Sequence, residues 1–308
     1  MTKTPVVVLA YNRPKYLDKC LNSLKMQVLD RDVYLFIDGP RNQEDQFLIQ
    51  QSIKATKYHI PHCEIKDSFE NLGVAFNTKR ARDFIFSKYD QCFIIEDDQV
   101  FNSYYLEQLD SLMSKFKDED SVGMVNMFGE VHRNYLNYSY YDHGQSKIGS
   151  YDDQRRNMNK LKHMEHLWGY GMFKSCYEKI YDDLEGYYSL LPREYRNRPH
   201  QFIYKYWRDK GVGNKIVSSQ DSCTSAAMVI NGISKVSTYT NNFSYIGEIG
   251  EHSRTKNFKE SGWDKLEVFD QQVDNFEWND NISKEIFEKL EFLFLQDKDY
   301  RDFEMKVF

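Results

Sequence analysis

Residues 92–98 read CFIIEDD, a short apolar run that ends in three adjacent acids, Glu96, Asp97 and Asp98. An apolar run of this length is typical of a buried β-strand. Carboxylates at the end of such a strand are hard oxygen ligands at a cleft, where Mg²⁺ or Mn²⁺ can bridge them to a diphosphate. The alternative is that these acids lie on a solvated turn or stabilise the N-terminus of the next helix.

Two strand-and-helix units precede this stretch. Residues 6–9 form an aliphatic run, and Asn12 and Pro14 after it predict a helix cap and a first-turn proline. Residues 33–37 form a second apolar run, which ends in Asp38 and is followed by another predicted helix. The remaining predicted elements of this region are a short strand near residues 63–65, a turn at 71–73 and a helix over about 75–87.

Strands that alternate with helices of this length predict an α/β fold, with a mostly parallel sheet and helices on both faces. In such sheets, ligands bind beyond the carboxyl ends of the strands. We therefore expect the three polar strand ends, residues 11–13, 38–39 and 96–98, to converge on one rim of the sheet. This convergence is the strongest inference that the residues alone allow.

The second half of the chain is less regular. Asn102 is predicted to cap a helix, and a strand is predicted at residues 122–128. Residues 129–162 are polar, rich in tyrosine and weakly periodic, which indicates a long excursion. Residues 166–173, HLWGYGMF, predict a strand with close backbone approach at its glycines. The later predicted elements are helices over 199–210 and 221–231 and strands near 233–238 and 243–246.

The chain has 308 residues, which can form one large α/β domain or two smaller ones. Its 41 basic and 47 acidic residues give a net charge of -6, which argues against a protein that coats nucleic acid or anionic lipid. The five cysteines are odd in number and widely spaced, without a CxxC pair, so we expect neither a zinc site nor a disulfide framework. A reducing cytoplasm fits this pattern best.

The N-terminal sequence MTKTPVVVLA has one basic residue before a very short apolar stretch, so we expect neither a secretory signal nor a membrane anchor. No later run approaches the roughly 18 apolar residues that a membrane span needs. We expect a cytoplasmic protein, and peripheral association with the inner face of the membrane stays open. One amphipathic helix near residues 283–295 has a stripe of Ile286, Leu290 and Phe294 that could dock on the core or on a second subunit, as in a homo-oligomer.

The chain resembles the glycosyltransferases of the GT-A fold, of the family 2 type and the N-acetylglucosaminyltransferase I type, and related bacterial polysaccharide glycosyltransferases. The matching pieces are VVVLAYNRPKYLDKCLNSL, FIDGP, NLG, CFIIEDDQVF, HLWGYGMF, Asp221 ahead of a helix, and GEIGEHS. They occur in the family's order over about the first 255 residues. The resemblance implies a GT-A domain over 1–255, with a nucleotide-binding half over about 1–128 and an acceptor-side half over about 129–255. Residues 256–308 match nothing in the family and are expected to form a small helical or irregular extension.

The resemblance also implies a role for individual residues. The nucleotide contacts it implies are Tyr11, Asn12 and Arg13 after the first strand, Asp38 as acceptor of the uracil N3 proton, Asn71 in the turn near the ribose and base, and Asp97 facing the ribose. Lys79, on the helix after that turn, could reach the diphosphate, although an ordinary solvent-facing lysine is the alternative. The metal ligands it implies are Asp98 and, in the late glycine-bounded loop, His252, which could instead contact the diphosphate. The segment beside the transferred sugar and the acceptor contains Trp168, Gly169 and Tyr170.

The activity that the resemblance implies is inverting transfer of a hexose or N-acetylhexosamine from a UDP-sugar to a hydroxyl group of a glycan. A cation, Mn²⁺ or Mg²⁺, would offset the charge that develops on the leaving diphosphate. Asp221 lies in the position of the catalytic base, although the acids between residues 182 and 194 are alternatives, and Ser or Asp here would equally suit a plain helix cap. Two other functions remain: a sugar-phosphate nucleotidylyltransferase, for which the glycine-rich loop after the first strand is missing, and a silent binding module.

Overall fold

The computed structural model describes residues 3–129, 150–213, 218–250, 258–259 and 262–295. The strands are β1 (Val6–Ala10), β2 (Val33–Ile37), β3 (Glu64–Lys66), β4 (Gln91–Glu96), β5 (Gln99–Phe101), β6 (Val122–Asn126), β7 (Leu161–His163), β8 (Tyr170–Phe173), β9 (Ser234–Thr238) and β10 (Phe243–Tyr245). The helices are α1 (Pro14–Leu24), α2 (Gln43–His59), α3 (Gly73–Phe86), α4 (Tyr105–Phe116), α5 (Tyr151–Arg156), α6 (Lys174–Tyr188), α7 (His200–Asp209), α8 (Gln220–Ile230) and α9 (Asp280–Phe294).

Within these residues, eight strands form one sheet in the order β3-β2-β1-β4-β8-β6-β9-β7. The pairs β3–β2, β2–β1, β1–β4 and β6–β9 are parallel, whereas β8 runs antiparallel to both of its neighbours and β7 antiparallel to β9. Strands β5 and β10 form a separate antiparallel pair. The predicted α/β class, with a mostly parallel sheet, is confirmed.

Two apolar cores lie on the two faces of the sheet because the strands are buried on both sides. Along β1, Val6 and Val8 belong to the core under α1, while Val7 belongs to the core under α3. Helix α1 contributes its buried positions Leu17, Cys20, Leu21 and Leu24, which recur at helical spacing. This continuous burial explains why the strands read as unbroken apolar runs rather than as alternating ones.

Some predicted helix caps are wrong. The N-cap of α1 is Arg13, without a side-chain capping bond, because Asn12 donates its amide instead to the buried carboxylate of Asp45. Asn102 bonds the backbone N–H of Tyr104 and precedes the N-cap of α4 by two residues. Ser219 does cap α8, since its hydroxyl accepts from the N–H of Ser222 at 3.3 Å.

The predicted excursion over residues 129–162 has two parts. Residues 130–149 lie outside the described residues, whereas α5 and β7 form within 150–163, where the sequence predicted no regular structure. The strand predicted over 166–173 is shorter, because only the last four residues of that stretch form β8.

The C-terminal segment packs on the body of the protein. Phe269, Val273, Phe276 and Ile286 are buried in the core on the α1 face. The predicted docking of the amphipathic helix on the core is therefore confirmed for Ile286. No helix among the described residues is long and apolar enough to cross a membrane.

Candidate functional site: an acidic cleft at the carboxyl edge of the sheet

The three predicted polar strand ends converge. Strand β1 lies between β2 and β4 and runs parallel to both, with Ala10 beside Ile37 and Leu9 beside Glu96. The residues that follow the three strands therefore emerge at the same edge of the sheet. This convergence confirms the strongest inference drawn from the sequence.

Arg13 links the end of β1 to the acids after β4. Its guanidinium contacts both carboxylate oxygens of Asp97, and its Nη1 lies 2.9 Å from Oδ2 of Asp98. Both acids are buried, with exposed fractions of 2% and 4%. Burial raises the pKa of Asp97 to about 6, against the opposing positive charge of Arg13. The result is a tight cluster of two acids and one cation.

One oxygen of Asp98 stands out within this cluster. Its Oδ1 is buried and has no hydrogen-bond partner among the described residues. A buried carboxylate oxygen without a donor carries a desolvation penalty, and an ion that binds there removes it. Among the described residues no three acidic, histidine or cysteine side chains are grouped as a metal cage. A cation on Asp98 would therefore take its remaining ligands from a bound phosphate and from water, as Mg²⁺ commonly does.

Residues 246–250 lie against this cluster. The N–H of Ile246 donates to the carbonyl oxygen of Asp98 at 2.8 Å. A Cβ atom on Gly247 would come within 2.5 Å of Asp98 Oδ2, so only glycine permits this approach. A Cβ on Gly250 would lie 3.2 Å from Nη1 of Arg13. His252, the predicted second metal ligand, lies outside the described residues.

Tyr11 and Asn12 are held by an acid that sequence reasoning missed. Asp45, in the first turn of α2, accepts the hydroxyl of Tyr11 and the amide of Asn12, each at 2.5 Å, and also the N–H of Arg41. The cation of Arg41 lies over the Tyr11 ring, 5.1 Å from its centre. The only sequence signal for Asp45 is an acid near a helix N-terminus, which is common on any helix.

Asp38 organises two turns. Its Oδ1 accepts from the N–H groups of Gly39 and Leu72, each at 2.8 Å. Its Oδ2 accepts from the N–H of Gly73 at 2.9 Å and from the amide of Asn71 at 3.0 Å. Each oxygen therefore already has two donors, which is the capacity of a carboxylate. The N–H of a bound base would have to displace one of these four donors.

Lys79 is not brought to the acidic cluster by its described contacts. Its ammonium lies 2.7 Å from Asp83 and 2.9 Å from Glu185, which join α3 to α6. A groove of about 560 Å³ lies between these two helices, lined in part by Asp83, Tyr177 and Asp182. None of its lining residues belongs to the acidic cluster.

Asp221 lies in the first turn of α8. Glu96 reports on its position: burial raises the pKa of Glu96 well above its usual range, and the charges of Asp98 and Asp221 raise it further. Carboxylates affect one another in this way only when they are close. Glu96, Asp98 and Asp221 therefore lie near one another at this edge of the sheet.

The alternative acids between residues 182 and 194 have other partners. Asp183 pairs with Lys210 at 2.6 Å, and Glu185 pairs with Lys79. Asp182 lines the groove between α3 and α6. Glu194 accepts from the amide of a neighbouring asparagine. Of the candidate bases, Asp221 is the one that lies with the acids at the end of β4.

An aromatic column stands beside Asp221. The indole of Trp168 is stacked between His166, at 4.4 Å, and Tyr245, at 4.3 Å, and the edge of Trp263 packs against all three rings. Because both faces of Trp168 are covered, a sugar could reach this side chain only at its edge. The column also supports the segment over Asp98, since the Tyr245 hydroxyl donates to the carbonyl of Gly247 at 3.2 Å.

Gly169 and Tyr170 lie behind the column. Gly169 has a positive φ of 50°, and its carbonyl accepts the buried hydroxyl of Tyr105. Tyr170 is 3% exposed, and its hydroxyl accepts from the buried guanidinium of Arg82 at 2.7 Å. The structure thus places Tyr170 in the core, because β8 is a central strand that is covered on both faces.

Sequence reasoning missed His166 and Arg82. The stacked, buried environment lowers the pKa of His166 to about 4, so its imidazole is neutral at physiological pH. The charge of Asp221 raises this pKa, so His166 lies near Asp221. The sequence signal for His166 was weak, namely its place in HLWGYGMF. No sequence signal distinguishes Arg82 from a surface arginine on a helix.

No protein-family model matches the chain, and no curated protein sequence matches it. Among solved structures, one that aligns is a mannosyltransferase from Pyrobaculum calidifontis in complex with GDP-Man and Mn²⁺. The two chains are 11% identical, and the alignment covers 76% of this chain and 54% of that one, with a TM-score of 0.41. The chain therefore spans about half the length of that enzyme.

Proposed function

We propose that this protein is a metal-dependent glycosyltransferase that moves a sugar from a nucleoside diphosphate to a hydroxyl group of a glycan. One observation carries the proposal. Asp98 has a buried carboxylate oxygen without a donor among the described residues, and both Asp98 and Asp221 act on the carboxyl group of Glu96 at the carboxyl edge of an α/β sheet. A cation ligand and a potential base on two walls of one cleft are what such a transfer needs.

Arg13 and Asp98 form the diphosphate side of the site. A divalent cation on Asp98, when bound, stabilises the negative charge of the departing diphosphate. Arg13 already lies against this acid, so its guanidinium can turn to a phosphate oxygen while it keeps contact with Asp97. The glycines at 247 and 250 let the backbone pass close enough to cover the cluster.

Asp221 is the proposed general base. It accepts the proton of the acceptor hydroxyl as that oxygen forms its bond to the anomeric carbon. The bond from this carbon to the phosphate oxygen breaks in the same step, and the diphosphate leaves with the bonding electrons. One displacement inverts the configuration, so a second carboxylate that forms a covalent intermediate is not required.

The donor is proposed to be a UDP-sugar, on the resemblance of Asp38 and Asn71 to the family's base-binding positions. Their hydrogen bonds order the turn at 71–73 beside the end of β2, and the N–H of a bound uracil would replace one of the four donors to Asp38. We also keep the cytoplasm as the proposed location, because all five cysteines are buried free thiols. We also propose a GT-A domain over residues 1–255 and a homo-oligomer that forms through α9.

Calorimetric titration with UDP and Mn²⁺ tests the metal site. We expect Asp98→Asn to weaken Mn²⁺-dependent UDP binding by more than about tenfold, since it removes the ligand charge. Asp118→Asn is the matched control, because Asp118 is an exposed acid after α4 and has no proposed role in the site. UDP binding by Asp98→Asn at the strength of the control would refute the assignment.

A donor screen tests the transfer step. The wild type and Asp221→Asn are incubated with UDP-glucose, UDP-galactose, UDP-N-acetylglucosamine and GDP-mannose, and release of the nucleoside diphosphate is measured. We expect turnover of at least one UDP-sugar, with a loss of at least about a hundredfold in Asp221→Asn. Tight UDP binding without turnover of any donor would instead support a silent binding module.

A further inference from the structure

Arg82 is a buried cation without a carboxylate partner. It lies in the middle of α3 with no exposed surface. Its guanidinium donates to the hydroxyls of Tyr170 at 2.7 Å and Thr224 at 3.3 Å, and its Nε has no partner among the described residues. A buried charge costs several kcal/mol unless it is compensated. Packing alone does not explain an arginine here.

The neighbouring cations of α3 show the contrast. Lys79 forms ion pairs with Asp83 and Glu185, and Arg80 donates to backbone carbonyls at the surface. Arg82 alone among these three points into the core between the sheet and α8. No contacting carboxylate among the described residues therefore neutralises its charge.

Asp221 is an acid that the charge of Arg82 reaches. Thr224, which contacts Arg82, lies three residues after Asp221 on α8, on the same side of the helix. Burial raises the pKa of Asp221, and Arg82 opposes this rise most strongly, followed by His166 and Lys235. The charged and titratable groups around Asp221 are Arg82 on α3, His166 and Tyr170 at β8, Lys235 on β9, Glu96 at the end of β4 and Cys223 on α8 itself.

We propose that Arg82 is a positioning residue for the transfer reaction, which holds the first turn of α8 against β8 and stabilises Asp221 as the carboxylate that accepts the proton. The inference rests on the proposed function for the identity of the reaction. This role explains why Arg82 has hydroxyl groups as its hydrogen-bond acceptors. A carboxylate in contact with Arg82 would neutralise the charge that acts on Asp221. Glu96 acts in the opposite direction, since a second carboxylate in the cleft favours protonation of the pair.

The first test follows the Asp221 carboxylate directly. The full chain is labelled with [4-¹³C]aspartate, and the Asp221 resonance is identified by its loss in Asp221→Asn. We expect the titration midpoint to rise by about one pH unit or more in Arg82→Met. In Lys88→Met, which removes an exposed charge at the end of the same helix, we expect no shift. A midpoint in folded Arg82→Met equal to that of Lys88→Met would overturn the proposal.

Arg82→Lys covers the case in which Arg82→Met does not fold. Lysine keeps the charge but cannot contact Tyr170 and Thr224 together, because it lacks the planar fork. We expect a smaller upward shift of the Asp221 midpoint and a fall in kcat of about tenfold, with the donor KM unchanged. An unchanged midpoint together with an unchanged kcat in Arg82→Lys would overturn the proposal.

The second test uses turnover of the donor that the wild type accepts. The acid limb of kcat/KM against pH should move upward in Arg82→Met by the same interval as the Asp221 midpoint, with activity partly restored at high pH. An acid limb that stays in place while the midpoint moves would overturn the role in transfer. If the wild type turns over no donor, the proposed function fails, and the ¹³C titration still decides whether Arg82 stabilises the Asp221 carboxylate.

Discussion

Arg13 and Arg82 lie on opposite faces of the same sheet edge and are compensated in different ways. Arg13, at the start of α1, contacts the carboxylates of Asp97 and Asp98. Arg82, within α3, contacts only the hydroxyls of Tyr170 and Thr224 among the described residues. The Arg13 side chain is half-buried and Arg82 is fully buried, so the more deeply buried cation is the one without a contacting carboxylate among the described residues.

This contrast shows two ways in which a cation stabilises buried acids at one edge of the sheet. On the α1 face, ion pairing satisfies two acids locally, and a ligand must share or displace the Arg13 contact. On the α3 face, the unpaired charge of Arg82 acts at a distance on Asp221, whose carboxylate stays available to a substrate. The first arrangement suits a binding surface, and the second suits a base.

The largest effect is expected from Arg13→Met. This change leaves Asp97 and Asp98 buried without a counter-charge, and breaking a buried ion pair in this way costs about 3–5 kcal/mol of unfolding free energy. Urea denaturation at neutral pH measures it. Lys3→Met breaks the exposed Lys3–Asp30 pair and should leave the urea midpoint unchanged. Equal midpoints for the two variants would show that the α1 face does not depend on this pairing.

His166 tests the electrostatics around Asp221 through the pH dependence of stability. Its folded-state pKa is about 4 and its unfolded value is near 6.5, so between these pH values only the unfolded chain binds the proton. The stability contributed by the neutral imidazole is complete above about pH 6.5 and is lost as the pH falls towards 4. From pH 6.5 to 5 we expect the wild type to lose about 2 kcal/mol more unfolding free energy than His166→Gln.

The comparison for this pH series is His62→Gln, which replaces an exposed histidine. Urea denaturation at pH 6.5, 5.5 and 5 gives the three pH dependences. The wild type and His62→Gln should lose stability in parallel, and His166→Gln should lose less. A His166→Gln curve parallel to the other two would contradict the neutral imidazole.

The smallest effect is expected from Gly247→Ala, in the segment over Asp98. An added Cβ would meet Asp98 Oδ2 at 2.5 Å, so the segment must shift and Mn²⁺-dependent UDP binding should weaken by about tenfold. Gly250→Ala is the matched control, since its Cβ would meet only the flexible end of Arg13, at 3.2 Å. Calorimetry compares the two variants. A larger loss of UDP affinity in Gly250→Ala than in Gly247→Ala would show that the ligand binds beside Arg13 rather than at Asp98.

Much of the α1 face was readable in the sequence. Apolar runs that end in polar residues predict parallel strands, and adjacent parallel strands bring their ends together, so Arg13, Asp38 and Asp98 meet at one edge as expected. The predicted cap at Asn12 is wrong because a distant acid, Asp45, competes for the same amide. The metal, nucleotide and base roles of these residues remain predictions.

The surroundings of Asp221 were hardly readable. The stacking of Trp168 between His166 and Tyr245 joins the segment between β7 and β8 to β10, and no local pattern encodes it. The contact of Arg82 with Thr224 spans 142 residues of chain. An arginine among helix-forming residues is typical of a surface position, and only its contacts with Tyr170 and Thr224 in the core show that it points inward.

By itself, the sequence determined the alternation of strands and helices and the edge of the sheet at which the acids collect, because hydrophobic periodicity and strand ends are local properties of the chain. Only the tertiary structure places Arg13 in contact with Asp97 and Asp98 and leaves Arg82 to act on Asp221 at a distance. That choice depends on contacts between elements far apart in sequence, and the energy of a buried charge is set by its neighbours in space.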